Sequence, residues 1–410
     1  MISAKCHFNG VGQGLFYSAS IGDKYGRVFN FVYDCGTFYD KDKKLLNEKI
    51  RNCCSGDTID ALFISHFHKD HISGIPELIK RYEIKYVFLP FFTKEELILL
   101  RKKYGWEVGD ELYDFYTDPA EYFGGRVERI YVISGNNNDN SNDNDFSSSE
   151  HDERFANSNE ENGFHIRTRV EDITTNKQGT PVVKCSDVSI KLHGLNWHFT
   201  IYQDQDYATQ FRIKDTIKQE YKKKFGEEFT EDSITAITDT DKIKLCKNIY
   251  NKVKYGINQT SLVLCHYPDK YINYYSLFDS KYCCNYCCDC CWYCCSNNKN
   301  NVATLLTGDI NLNRLSENKK KFKQFIDSIP AKIGYFQLPH HGSGNNSSVD
   351  TITSLSLQNT NMICSYGRRN QFKHPDPFLL YKLNNCCNHS NHIFHANNDE
   401  SFVYQINEDK

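Results

Sequence analysis

Long hydrophobic runs are missing from this chain. Nowhere do about 18 consecutive apolar residues occur, so no stretch is suited to cross a bilayer as a helix. The opening residues, Met1 to Phe8, carry no apolar core of the signal-peptide kind. Strong charge of either sign is missing too. A net charge of −3 draws the chain as a whole neither to nucleic acid nor to an anionic membrane, so polyanion binding would need a local patch. No repeat of solenoid period is present. The expectation is a cytoplasmic protein without disulfides, and 410 residues suffice to bury a sizeable core without them.

Cysteine, by contrast, is plentiful. Of 18 cysteines, eight fall between Cys283 and Cys295. Overlapping Cys-x-x-Cys pairs such as Cys284 with Cys287 and Cys291 with Cys294 suit a separate structural zinc. The tract lacks a defined two-pair pattern, however, and reads rather as an expanded low-complexity loop. Residues 136 to 162, rich in Asn, Ser and Glu, read as a disordered insertion. Helical patterns at Ala208 to Phe225 and Asp241 to Val253 read as a helical insertion over 205–256, and the Cys-rich stretch as a loop insertion over 266–301. Strands alternating with helices elsewhere argue an α/β architecture, with residues 1–410 as one domain.

Six residues carry the clearest chemistry: His66-Phe67-His68-Lys69-Asp70-His71. Imidazole and carboxylate bind zinc, manganese or iron well, and four such groups in six positions serve neither a core nor an ordinary surface. The apolar run Ile59 to Ser65 before them reads as a buried strand; Ser73 to Lys80 after them reads as a loop entering a helix with proline in its first turn. The cluster therefore leaves a strand end, where α/β folds place their ligands. Three further apolar strands stop at polar residues in the same way. Leu305 to Asp309 ends in a carboxylate, Gly334 to Ser343 in His340-His341, and Met362 to Gly367 leads to Arg368, Arg369, Asn370, Lys373 and His374.

In that order the segments resemble a metallo-β-lactamase-fold hydrolase, and most closely the hydrolase domain of bacterial DNA-uptake (competence) proteins. The resemblance rests on Gly10 to Gly14 (GxGQG), His66 to His71, Asn258-Gln259-Thr260-Ser261-Leu262, Thr307-Gly308-Asp309, His340 to Ser343, and Ser365 to Pro375. It implies an αββα sandwich, an α+β fold of two mixed β-sheets flanked by helices, with the site at one edge.

The resemblance also implies two divalent ions, zinc or manganese, and an acidified water as nucleophile. His66 and His68 would hold one ion, Asp70 and His71 the other, with Asp309 bridging and His340 completing the second set. His341 would stand nearer the substrate. Many relatives carry a further histidine where this chain has Asn258, a substitution that weakens the first site and leaves Asn258 to the substrate. Asp70, His341 and His374 are the expected catalytic residues, His374 as proton donor to the leaving oxygen. Ser343, Arg368, Asn370 and Lys373 are the expected substrate contacts, a cationic rim suited to a phosphodiester and extendable to nucleic acid. An ester, lactone or thioester hydrolase of the same fold, and a degenerate metal-binding module acting with a protein partner, are the alternatives. The sequence names no such partner and gives no sign of a membrane.

Overall fold

A computed structural model describes residues 1–134, 151–155, 164–204, 207–226, 228–230, 240–269, 274–278, 301–315, 319–358, 360–385 and 393–408. Its strands are β1 (Ile2–Phe8), β2 (Phe16–Asp23), β3 (Val28–Cys35), β4 (Thr58–Phe63), β5 (Glu83–Pro90), β6 (Arg129–Ile133), β7 (His151–Phe155), β8 (Phe164–Thr175), β9 (Pro181–Leu192), β10 (Trp197–Gln203), β11 (Leu262–Pro268), β12 (Tyr274–Phe278), β13 (Asn301–Leu306), β14 (Lys332–Gln337), β15 (Asn361–Ser365), β16 (Ile393–Ala396) and β17 (Phe402–Glu408).

Pairing runs β12–β17–β1–β2–β3–β4–β5–β6–β9 in one sheet. A second sheet runs β9–β10–β11–β13–β14–β15–β16. Strand β9 joins the two: Val182 to Cys185 lie beside β6, and Ser189 to Leu192 beside β10. Both sheets are mixed, parallel through β3–β6 and through β13–β16.

Side-chain alternation along the strands divides the interior into three layers. Between the sheets lies an aromatic-rich core that includes Phe8, Tyr17, Phe31, Phe63, Phe88, Trp197, Phe199, Tyr335 and Tyr404. On the outer face of the first sheet, Val32, Leu62, Ile64, Val87 and Leu89 pack under helices through Leu46, Leu78, Leu97, Leu100 and Ile249. On the outer face of the second, Val263, Leu305, Phe336 and Met362 pack under Phe322, Ile326, Ile352 and Leu379. Helix, sheet, sheet, helix is the expected αββα order.

Local signals account for the helices that frame the site. Lys94–Tyr104 is capped by Thr93, whose Oγ1 accepts from Glu96 N at 3.3 Å, while Thr93 N donates back to the Glu96 carboxylate. Gly105 ends it in the left-handed conformation. The insertion contains two helices, Tyr207–Phe225 and Thr240–Gln259, and both pack against Lys94–Tyr104. The second runs six residues past the sequence-based end at Val253. Ile249, Tyr250, Val253 and Ile257 keep one face buried, so the helix continues until Asn258 stands in its last turn rather than on the approach to β11. The expected disordered insertion falls mostly outside the described residues; its described part, His151–Phe155, pairs with β8. The cysteine tract from Cys283 to Cys295 lies outside them entirely. Among the described residues no helix is long and apolar enough to cross a membrane.

Candidate metal centre

The strand ends converge as the motifs require. Beyond β4, the segment Ser65 to His71 turns into the short helix Lys69–Ile72, which is pressed against the loop after β3. Gly36 makes that approach possible: a Cβ there would sit 2.6 Å from the backbone of Asp70 and His71. Beyond β13, Thr307 and Gly308 donate their N–H groups to Gln337 Oε1 at 2.8 and 2.9 Å, which fixes the turn carrying Asp309. Gly308 has φ +55° and lies against Ser65, so a side chain there would be both strained and obstructed.

Two groups of ligand atoms result. In the first, ligand atoms of His66, His68 and Asp309 all lie within 4.8 Å of one another; in the second, those of Asp70, His71 and His341 do. His66 Nε2 stands 3.0 Å from His68 Nδ1, and His341 Nε2 stands 3.2 Å from Asp70 Oδ2. Asp309 spans both groups, with Oδ2 3.5 Å from His66 Nε2 and Oδ1 3.2 Å from His71 Nε2. A carboxylate with one oxygen toward each group is placed to bridge.

The outward nitrogens are tied down. His71 Nδ1 donates to Asp34 Oδ2 at 2.7 Å, and His341 Nδ1 donates to the Ser365 carbonyl at 2.8 Å, leaving both Nε2 lone pairs facing inward. Asp34 also accepts from Ser65 N at 2.7 Å, and Ser65 Oγ lies 2.9 Å from His66 Nδ1. His68 Nε2 meets Tyr250 Oη at 3.0 Å.

Electrostatics fit divalent ions. Burial, together with the neighbouring His71, holds His66 below the ordinary imidazole range; burial, His66 and Lys103 hold His68 well below it. Burial also opposes charge on His71 and His341, yet Asp309 and Asp34 beside the one, and Asp70 and Asp309 beside the other, raise both. Asp70 and Asp309 stay ionised despite burial because histidines surround them. His71 Nε2 and Asp309 Oδ1 are buried and face each other at 3.2 Å without the alignment of a hydrogen bond. Inward-facing nitrogens and buried carboxylates suit cations of N/O preference.

A cleft of about 560 Å³ opens onto the two groups, lined by His68, Asp70, Asn258, Asp309, His340, His341, Ser343 and His374 of the expected residues. Gln13, Phe38, Lys103, Tyr104, Lys247, Tyr250 and Phe372 complete much of its wall.

Residues 28–88 match the sequence model of the family described as "Metallo-beta-lactamase superfamily". The fold is that of the metallo-beta-lactamases. Solved structures of low identity are similar to it in part. The long form of RNase Z from yeast is 9% identical, covers 89% of this chain and 37% of its own, and has a TM-score of 0.33. A metallo-beta-lactamase fold protein from Bacillus subtilis is 12% identical over 46% of this chain and 59% of its own, with a TM-score of 0.20. The FEZ-1 metallo-beta-lactamase from Legionella gormanii is 13% identical over 61% of this chain and 93% of its own, with a TM-score of 0.21. The chain thus spans little more than a third of the yeast enzyme's length. No curated protein matches it.

Several expected roles change on the metallo-beta-lactamase fold. The paired histidines exchange places: His341, not His340, joins Asp70 and His71, while His340 is 27% exposed with Nε2 3.5 Å from Asp309 Oδ2. Both residues have positive φ, and that left-handed turn swings the second ring inward. His374 borders the cleft, but burial, with His340 and His341 nearby, lowers it to about 4. At neutral pH it is an uncharged hydrogen-bonding group and holds no extra proton to give a leaving oxygen.

The expected basic rim is elsewhere. Arg368 pairs with exposed Asp399, and neither Arg368 nor Lys373 lines the cleft. Asn370 binds its own loop, donating to the Gly367 and His374 carbonyls and accepting from His374 N. Among the described residues, the lysines on the cleft wall are Lys103 and Lys247, from helices Lys94–Tyr104 and Thr240–Gln259. Sequence reasoning passed over Asp34, Ser65, Tyr250 and these lysines. Of them, Asp34 gave a readable signal, a carboxylate ending an apolar strand.

Proposed function

We propose that this domain is a metal-dependent phosphodiesterase or nuclease. The reading rests on one arrangement: two His/Asp groups bridged by Asp309 at the floor of a cleft with lysines on its wall. Divalent ions held by His66, His68, Asp309, Asp70, His71 and His341 would acidify water and polarise a phosphoryl oxygen. Lys103 and Lys247 would draw the anionic substrate to the mouth and orient it there. His374, neutral and beside His340 at a ring separation of 5.2 Å, would hydrogen-bond the substrate. Ser343, buried on the cleft wall, would contact it as well. The motif order from Gly10 to Pro375 favours the competence-type branch among such hydrolases.

The test is hydrolysis of bis(p-nitrophenyl) phosphate by protein loaded separately with manganese and with zinc, beside Asp70→Ala. Metal-dependent turnover that disappears in the variant is expected. Absence of turnover with either metal, in protein shown to hold its ions, would overturn the reading.

A further inference from the structure

The helix Thr240–Gln259 belongs to an insertion whose role the sequence leaves open, yet it meets the first ligand group directly. His68 turns Nδ1 toward His66 Nε2, 3.0 Å away, in the group that also contains Asp309. An imidazole that gives its Nδ1 lone pair to a cation carries its remaining proton on Nε2, and that proton needs an acceptor. Tyr250 Oη, in a buried residue, lies 3.0 Å from His68 Nε2. A phenol oxygen both accepts and donates. It can therefore take the Nε2 proton when an ion is bound and donate to Nε2 when none is.

The tyrosine ring is itself held. Lys103 Nζ sits 3.6 Å from its centroid, across the contact between helices Lys94–Tyr104 and Thr240–Gln259. Two turns further along the same helix, Asn258 lines the cleft. It is 4% exposed, and its Oδ1 has no hydrogen-bond partner. A buried acceptor left unpaired calls for an occupant of the cleft. The cleft that Asn258 lines is also lined by His68 and Asp309 of the first group, and an amide oxygen is a hard donor, favourable to manganese.

We infer that this helix completes the first metal group: Tyr250 is a positioning residue that presents His68 Nδ1 to the ion, and Asn258 offers its amide oxygen as a further ligand. The inference rests on the cleft being a metal centre. It gives the helical insertion a task, holding one ion of the pair, while the second group is drawn from the segments that follow β4 and β14.

The experiment counts bound manganese by electron paramagnetic resonance of the free ion during titration of chelator-stripped protein. Wild type, Tyr250→Phe and Asn258→Ala are compared. Wild type binds two ions. Each variant retains one with unchanged affinity, which also shows that it is folded, and binds the other about 10- to 100-fold more weakly. In zinc-loaded wild type, the His68 Nε2–H resonance exchanges slowly with water; in Tyr250→Phe it exchanges fast. Two ions bound with wild-type affinity in both variants, or an unchanged His68 resonance in Tyr250→Phe, overturns the inference. Wild type that binds no ion overturns the metal centre itself.

Discussion

His71 donates its Nδ1 proton to Asp34 Oδ2 at 2.7 Å, and its Nε2 faces Asp309 Oδ1 at 3.2 Å. The carboxylate fixes which nitrogen of the ring is free to bind. Asp34→Asn replaces that acceptor with an amide whose shape is the same and whose charge is gone. The expected outcome is a loss of about 10- to 100-fold in affinity for one ion, read by competition with a chromogenic chelator. Wild-type affinity in the variant would show that the pair only supports the fold.

The two adjacent histidines are separable. His341→Ala removes an inward ring of the second group and is expected to lower bound metal from two ions to one per chain. His340→Ala, at a partly exposed ring outside both groups, is expected to keep two. Elemental analysis after gel filtration distinguishes the pair, and the reverse ranking would restore His340 as the ligand.

Charge at the mouth separates by position in the same way. Lys247→Ala should raise KM for a phosphodiester several-fold and flatten its dependence on salt, because Lys247 lines the cleft. Arg368→Ala should leave both unchanged, because Arg368 is exposed and paired with Asp399. Steady-state kinetics at two ionic strengths would show it, and an effect of Arg368→Ala equal to that of Lys247→Ala would return the rim to its expected place.

Stability should fall in acid for a reason remote from the cleft. His266 lies in the aromatic core, its Nε2 2.7 Å from Tyr17 Oη and its Nδ1 accepting from Trp197 at 3.3 Å. Burial lowers it to about 3. Between that value and the ordinary imidazole range the unfolded chain binds the extra proton, so stability decreases as pH falls below about 6.5. Its share at pH 4.5 is roughly 3 kcal/mol. Denaturant unfolding at pH 7 and 4.5 should show a shallower pH dependence in His266→Gln than in wild type; equal slopes would contradict the assignment.

The fold was legible, and so was the convergence of most of the candidate ligands, because each site segment is an apolar strand that stops at a metal-competent side chain. The same shape ends β3 at Asp34, but a carboxylate before Cys35-Gly36 also suits an ordinary turn. The choice between His340 and His341 depended on two consecutive left-handed residues, which no periodicity records. Tyr250 was one of 27 tyrosines in a helix readable only as amphipathic. Arg368 and Lys373 share their loop with His374, yet nearness in sequence did not bring them into the cleft. Pattern identified the residues that end strands; it did not identify those that reach the site across the fold.

Asp309 is the carboxylate that faces both ligand groups. The direct measurement is the number of manganese ions retained per chain by wild type and by Asp309→Ala after equilibration and gel filtration. Two ions in wild type and at most one in the variant is the predicted result. Two ions in both, or none in wild type, would contradict a carboxylate-bridged pair.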